Sequence, residues 1–253
     1  MRMIISPAKK MRRNTDVLDY HQLPVFLHQA EELKEYLQGL SFEEAKKLWK
    51  CSDRLAEQNY QRLKDMDLHR GLTPAILSYE GIQYQYMAPL VLEEGALRYV
   101  EEHLRILSGF YGLLRPFDGV VPYRLEMQAG IDLEGCHSLY YYWGSQIADC
   151  LLKETDCVLN LASKEYSRSI STYRKEGIRF ITCVFGEYQD GKVREKGTLC
   201  KMARGEMVRF MAERQIRHPE EVKEFTGLGY QFQEKLSDER TYVFVKQIPG
   251  QPE

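Results

Sequence analysis

Residues 178–216 read IRFITCVFGEYQDGKVREKGTLCKMARGEMVRFMAERQI, and this stretch contains both kinds of regular element. The alternation of residue types from Ile178 to Tyr188 predicts a β-strand, and Asp190-Gly191 predicts a hairpin with a return strand over 192–195. From 198 to 216 the apolar residues recur at helical spacing, which predicts an amphipathic helix. Strand, hairpin and helix in succession favour a mixed α/β fold.

Further elements of both kinds are predicted on either side of this stretch. Strands are predicted over 3–6, 75–79, 156–162, 230–232 and 241–248, the last two as a pair. Helices are predicted over 24–39, from a Ser41 capping box to Trp49, and over 55–63, 93–107 and 139–153. Residues 108–127 are rich in Gly, Pro and aromatic residues, which predicts a structured loop with short strands. No linker or repeat interrupts the chain, so we predict one domain over 1–253 with a mixed sheet surrounded by helices.

Composition excludes several classes of protein. The 253 residues are 43% hydrophobic and 28% charged, which is typical of a folded globular chain and not of a disordered one. The apolar run Met3–Ile5 is too short for a signal peptide, and Met87–Leu92 is too short to span a bilayer. The six cysteines are dispersed without C-x-x-C spacing, so we expect reduced thiols, a cytoplasmic location and no membrane partner.

The net charge of −2 conceals two basic segments. Residues 1–15 hold five basic and no acidic residues, and residues 160–217 hold thirteen basic and seven acidic ones. If the fold brings these segments together, they form a positive surface that attracts phosphates. The alternative is that the basic residues only coat solvated helix faces.

Familiar catalytic and ligand-binding signatures are absent from the sequence. There is no GxxxxGK[ST] loop, GxSxG elbow or HExxH helix, and the six histidines show no ligand spacing. We therefore predict no metal site and no cofactor.

Short words of polar and aromatic residues stand out instead, mostly at predicted element ends, where functional groups gather. They are ISPAKKM (5–11), CSDRLAEQN (51–59), YEGIQYQ (79–85), HLRILSGFYGLLRPFD (103–118), PYRLEM (122–127), YYYWG (140–144), NLASKEY (160–166) and KMARGEMVRFM (201–211). Arg115 and Arg124 each adjoin a proline-constrained turn, so each is either a fixed phosphate clamp or a structural residue that forms an ion pair or caps backbone carbonyls. The aromatic cluster from Tyr140 to Trp143 either stacks on bases or packs in the core.

In their order along the chain, these words resemble the YaaA family of bacterial peroxide-stress proteins. The similarity extends from ISPAK to the closing GY-x-F at 229–232. It implies a cytosolic α/β protein that limits oxidative damage and binds DNA through a positively charged cleft.

The resemblance also implies a helix-hairpin-helix element, which presents backbone N–H groups to phosphate oxygens. Leu104–Gly112 and Leu48–Leu63 are the two candidate segments for this element, and the sequence does not choose between them. The family is further linked to low free iron under peroxide. Since no iron-ligand pattern is present, DNA protection is favoured over chelation.

Two hypotheses of different class follow. The first is sequence-independent binding of duplex or junction DNA, protecting it from iron-dependent oxidative damage. Its proposed phosphate contacts are Lys9, Lys10, Arg12, Arg115, Arg124, Lys164, Lys201, Arg204 and Arg209.

The second hypothesis is an enzyme that acts on a nucleotide or a damaged base, because acid–base chemistry needs carboxylates. Its candidate catalytic residues are Lys9, Asp53, Glu80, Glu126 and Glu165, in words that also hold Ser6, Arg124, Ser163 and Tyr166. A protein that only binds another protein is a third, less specific option.

Overall fold

The computed structural model describes residues 1–133, 135–189 and 191–246. Its strands are β1 (Arg2–Ile5), β2 (Lys10–Met11), β3 (Thr73–Pro74), β4 (Tyr79–Glu80), β5 (Leu104–Ser108), β6 (Gly112–Leu114), β7 (Gly119–Val120), β8 (Cys157–Asn160), β9 (Arg179–Gln189), β10 (Lys192–Arg194), β11 (Tyr230–Phe232) and β12 (Thr241–Lys246). Its α-helices are α1 (Leu27–Gln38), α2 (Phe42–Trp49), α3 (Asp53–Lys64), α4 (Ala75–Ser78), α5 (Ile82–Met87), α6 (Glu94–His103), α7 (Leu139–Trp143), α8 (Gln146–Leu152), α9 (Lys164–Ser171) and α10 (Gly197–Arg214).

A mixed sheet of eight strands forms the centre of the fold, which confirms the predicted fold class. The strand order is β11-β12-β9-β8-β1-β5-β6, with β10 paired to β9. Strands β12, β9, β8, β1 and β5 run parallel, whereas β11, β10 and β6 are antiparallel to their partners.

Strand β1 lies inside the sheet, between β8 and β5, and is formed by the first apolar run of the chain. Met3, Ile4 and Ile5 are fully buried, as expected for a parallel strand with neighbours on both sides. From β1 the chain passes first to β5 on one side and later to β8 on the other. Such a reversal of strand order leaves a crevice at the carboxyl ends of the strands, where α/β sheets commonly bind ligands.

Helix α10 packs against α5, α6 and β9, while α8 and α9 pack against each other. The contact between α10 and α5 depends on Gly205, because a Cβ atom there would lie 2.0 Å from the carbonyl oxygen of Gln83. No larger residue fits at this position without separating the two helices.

Three of the predicted elements differ from the structure. Residues 75–78 form α4 instead of a strand, because Ala75 and Ile76 donate backbone hydrogen bonds to Asp118 and Pro116 of the neighbouring loop. The helix predicted over 93–107 ends at His103, and Leu104–Ser108 is β5. This segment pairs with β1 and β6, and these non-local pairs override its helical spacing.

The helix predicted over 139–153 is also two helices, α7 and α8. The break lies at Gly144, whose φ of +46° is a conformation that residues with a Cβ rarely adopt.

The two predicted places for a helix-hairpin-helix differ in structure. Leu104–Gly112 is the β5–β6 strand hairpin and contains no helix. Leu48–Leu63 covers the end of α2 and most of α3, which pack together as two short helices joined by residues 50–52. A helix-hairpin-helix at α2–α3 therefore stays a prediction.

Predictions that rest on local signals are confirmed. The amide of Ser41 donates to Glu44, and the amide of Glu44 donates to Ser41 Oγ, which is the predicted capping box. Strands β9 and β10 form the predicted hairpin, and β11 pairs with β12, whereas Asp190 and residues 247–248 lie outside the described residues.

All six cysteines are free, and in the described part of the chain no helix is long and apolar enough to cross a membrane.

Candidate functional site

A pocket of about 360 Å³ opens beyond the carboxyl ends of β1 and β8, and we call it the switch-point pocket. This volume lies within the range of small-molecule sites. Residues from five separate segments line it: Ser6, Pro7, Ala8, Lys9, Lys10, Glu80, Gly81, Ile82, Gln83, Tyr84, Glu126, Ser163, Glu165, Tyr166, Lys201 and Arg204.

Two serines join the strand ends at the base of this site. Ser6 follows β1, and Ser163 precedes the first residue of α9. The amide of Ser163 donates to Ser6 Oγ at 2.9 Å, and Ser6 Oγ donates to Ser163 Oγ at 3.2 Å. Tyr84 holds the same segment by donating to the carbonyl oxygen of Ser6 at 3.0 Å.

The short β2–β4 ladder places a basic and an acidic residue side by side. Lys10 lies opposite Glu80 in the register, and its Nζ is 2.9 Å from Glu80 Oε2. Arg12 approaches the same carboxylate at 3.8 Å and is half exposed. Because Lys10 is 78% exposed, water weakens its ion pair and leaves the ammonium group accessible to a ligand.

Glu126 lies between two cations of different exposure. Lys9 Nζ is 2.7 Å from Glu126 Oε2 and is mostly in solvent, whereas Arg124 Nη2 is 3.2 Å from Glu126 Oε1 and is largely buried. Arg124 Nε is buried without a hydrogen-bond partner among the described residues.

Glu165 is a half-buried carboxyl group in the wall of the pocket. Burial raises its pKa above the ordinary value, although the amide of Gln128 donates to it at 3.3 Å and opposes that shift. Burial also raises the pKa of the neighbouring Tyr166 hydroxyl far above its usual range. A carboxyl group with a raised pKa keeps its proton to a higher pH than a free glutamate, which makes it a candidate for acid–base chemistry.

Helix α10 contributes two cations to the opposite wall. Lys201 is exposed, whereas the side chain of Arg204 is only 14% exposed and lies 3.6 Å from Glu195. Arg204 Nε is buried without a partner in the described part of the chain.

A buried chain of hydroxyl groups fixes the segments that carry these charges. Tyr123 OH is 2.8 Å from Tyr79 OH and 2.7 Å from Ser108 Oγ. Tyr79 adjoins Glu80, and Tyr123 adjoins Arg124, so the network ties both segments to the end of β5.

Three predicted site residues lie away from the pocket. Arg115 follows β6 at the amino ends of β1 and β5, where it hydrogen-bonds to Gln22 and faces Glu154. Asp53 begins α3 and forms an exposed ion pair with Lys46. Arg209, on a different face of α10 from Arg204, pairs with Glu213.

The other predicted residues lie in or beside the pocket. Lys164 is exposed at the start of α9, between two residues that line the pocket.

In the aromatic cluster, Trp143 is fully buried and its Nε1 donates to the carbonyl oxygen of Gly109 at 3.0 Å. Trp143 therefore packs in the core, while Tyr141 is 73% exposed.

Sequence reasoning missed Gln83, which lines the pocket although its side chain is buried. Its Nε2 has no hydrogen-bond partner among the described residues. The signal that identifies it is its place between Glu80 and Tyr84 in the word YEGIQYQ. Across the described residues, no group of three or more His, Cys, Asp or Glu side chains is arranged to hold a metal ion.

Comparison with known proteins places these words in a family. The family model described as peroxide stress protein YaaA matches residues 1–236. The chain belongs to this family. The resemblance found in the sequence is thus confirmed, and the family's description supports a role in peroxide stress.

Relatives that align with this chain over nearly their whole length occur in several bacteria. A UPF0246 protein of Desulfitobacterium hafniense is 54% identical over 246 residues, which cover 97% of this chain and 98% of the relative. UPF0246 proteins of Lachnoclostridium phytofermentans and Pediococcus pentosaceus are 56% and 49% identical, each over 97% of this chain and over 96% and 98% of the relative.

Proposed function

We propose that this protein acts in peroxide stress by binding DNA, without reading its sequence, through the cations around the switch-point pocket. The observation that carries this proposal is that the two basic segments meet there. Lys9 and Lys10 come from the first segment, and Lys164, Lys201 and Arg204 from the second. Four of the nine predicted phosphate contacts therefore line one pocket, and Arg12, Arg124 and Lys164 lie beside it.

The exposed ammonium groups suit phosphate binding. The ion pairs of Lys9 and Lys10 with glutamates are worth little in water, so a phosphate replaces them at small cost. Contacts of this kind position DNA but carry no base information. DNA covered by the protein is less accessible to hydroxyl radicals formed at bound iron.

The test is a salt titration of binding to a labelled duplex, with a junction and a single strand for comparison. Replacing Lys10 and Lys201 together by Ala removes two phosphate contacts, so the log–log salt slope falls by about 2. Affinity at low salt falls about tenfold or more. Lys153→Ala is the matched control, because Lys153 is an exposed lysine beside Glu154, at the far end of the sheet.

Two outcomes contradict the proposal. An affinity that does not change with salt excludes phosphate contacts, and an equal loss in Lys153→Ala shows that the switch-point pocket is not the binding surface. Arg115→Ala distinguishes the two ends of the sheet further, since we expect it to leave binding unchanged.

The second candidate function is catalysis on a nucleotide or damaged base. It is favoured by the convergence of Ser6, Glu126, Ser163 and Glu165 in one pocket, together with the raised pKa of Glu165. A screen of nucleotides and of oligonucleotides with damaged bases, read by mass spectrometry, tests it. Turnover that is lost in Glu165→Gln supports this function, and absence of turnover across the screen contradicts it.

A further inference from the structure

The size of the switch-point pocket limits what part of a DNA molecule can enter it. At about 360 Å³ it matches a small-molecule site and not a groove for stacked base pairs. Pro7, Ala8, Ile82 and Tyr166 give it apolar wall area between the charged groups. A single nucleotide fits these dimensions, whereas a paired and stacked one must leave the helix to enter.

The buried amide of Gln83 identifies the kind of group that completes the pocket. Gln83 is only 6% exposed, and its Nε2 has no partner in the described part of the chain. An unpaired buried donor costs about 1–3 kcal/mol, which a ligand that brings an acceptor recovers. The edges of nucleobases carry such acceptors in fixed planar positions.

The backbone that carries Gln83 is held in place on both sides. Its carbonyl group lies against Gly205 of α10, and the next residue, Tyr84, is hydrogen-bonded to Ser6. The side-chain amide therefore starts from a fixed position in the wall, where a ligand can supply the acceptor that it lacks.

The polar and charged side chains of the pocket lie at two depths, and these match the two parts of a nucleotide, its phosphates and its base. Lys9, Lys10 and Lys201 are exposed at the opening, where the phosphates on either side of an unstacked nucleotide would lie. Gln83 and Glu165 are more deeply buried, where a base would be hydrogen-bonded.

We infer that the switch-point pocket takes one unstacked, base-bearing nucleotide of the bound DNA and that Gln83 hydrogen-bonds its base. This inference rests on the proposed DNA binding and adds to it the part of the DNA that is recognised.

The experiment measures binding by fluorescence anisotropy to three labelled duplexes of the same length. One is fully paired, one carries a single bulged nucleotide, and one carries the same bulge with an abasic residue. The two bulges have the same backbone length and charge and differ in the base. We expect the base-bearing bulge to bind about tenfold more tightly than the abasic one, as one recovered hydrogen bond would give.

Gln83→Met is the informative variant, because methionine keeps most of the side-chain volume and removes the unpaired donor. We expect its melting temperature to equal or exceed that of the natural protein and its preference for the base to fall below about twofold. Gln85→Met is the matched control, since Gln85 is exposed on the same helix α5.

The outcomes separate this inference from the proposal beneath it. Equal affinity for the base-bearing and abasic bulges overturns the inference and leaves sequence-independent DNA binding in place. A preference that persists in Gln83→Met overturns the assignment of Gln83. If none of the three duplexes binds at low salt, both the inference and the proposed function fail.

Discussion

At the scale of single residues, the switch-point pocket separates cations that hold the fold from cations that are free to bind. Glu126, whose side chain is 17% exposed, contacts one cation of each kind. Arg124 is buried, with 10% of its side chain exposed, whereas Lys9 is 66% exposed. Removal of a buried partner leaves an uncompensated charge, whereas removal of an exposed one leaves a charge that water solvates.

We therefore expect Arg124→Ala to lower the free energy of unfolding by about 2 kcal/mol and Lys9→Ala to lower it by less than about 1 kcal/mol. Urea denaturation of both variants measures the difference. Equal losses in the free energy of unfolding would show that the buried Arg124 stabilises the fold no more than the exposed Lys9 does.

Glu165 predicts a pH dependence of DNA binding. Burial raises its pKa, so the group stays neutral to a higher pH than a free glutamate and gains its negative charge as pH rises through that raised pKa. The new charge repels phosphates, and affinity falls with rising pH. In Glu165→Gln we expect this fall to disappear, while Glu176→Gln, at an exposed position in the same basic segment, retains it. Binding isotherms from pH 5 to pH 8 would contradict this explanation if the natural protein and Glu165→Gln changed in parallel.

At the scale of elements, the hydroxyl network of Tyr79, Ser108 and Tyr123 predicts that removal of a single hydroxyl group destabilises the protein. Tyr123→Phe removes one oxygen and leaves two buried hydroxyl groups with fewer partners, which costs about 1–3 kcal/mol. For a chain of this size that lowers the melting temperature by about 2–10 °C. Tyr141→Phe is the control, since Tyr141 is mostly exposed. Equal melting temperatures for the two variants would show that the hydroxyl network does not contribute to stability.

The elements that sequence predicts well are those fixed by neighbours in the chain. The Ser41–Glu44 capping box and the β9–β10 hairpin need only a few adjacent residues. Leu104 and Leu107 fit helical spacing as well as a buried strand, and only pairing with β1, about a hundred residues earlier, decides between them. Short apolar runs such as Ala75–Ser78 are ambiguous for the same reason.

At the scale of the whole molecule, the candidate site draws on segments that are distant in sequence. Ser6 and Ser163 touch because β1 and β8 are parallel neighbours, which no local pattern reveals. The sequence identified most of the polar words that meet there, since such words end at strand and helix termini. It could not show that Arg115 lies at the other end of the sheet, because that depends on β6 running antiparallel to β5.

One sheet includes strands from the start of the chain to Lys246, which supports the prediction of a single domain. We expect one cooperative thermal transition, with a calorimetric enthalpy equal to the van't Hoff enthalpy. Two separable transitions would contradict a single domain over 1–253.

The contact at Gly205 has a mechanical consequence. Because α10 and α5 touch there backbone to backbone, the wall that carries Lys201 and Arg204 cannot move closer to the segment that carries Gln83. If the pocket takes an unstacked nucleotide as proposed, the DNA must supply that nucleotide by distorting. Among DNA molecules of equal charge, we therefore expect tighter binding to those in which a nucleotide leaves the stack at least cost, such as mispaired, gapped or frayed ones.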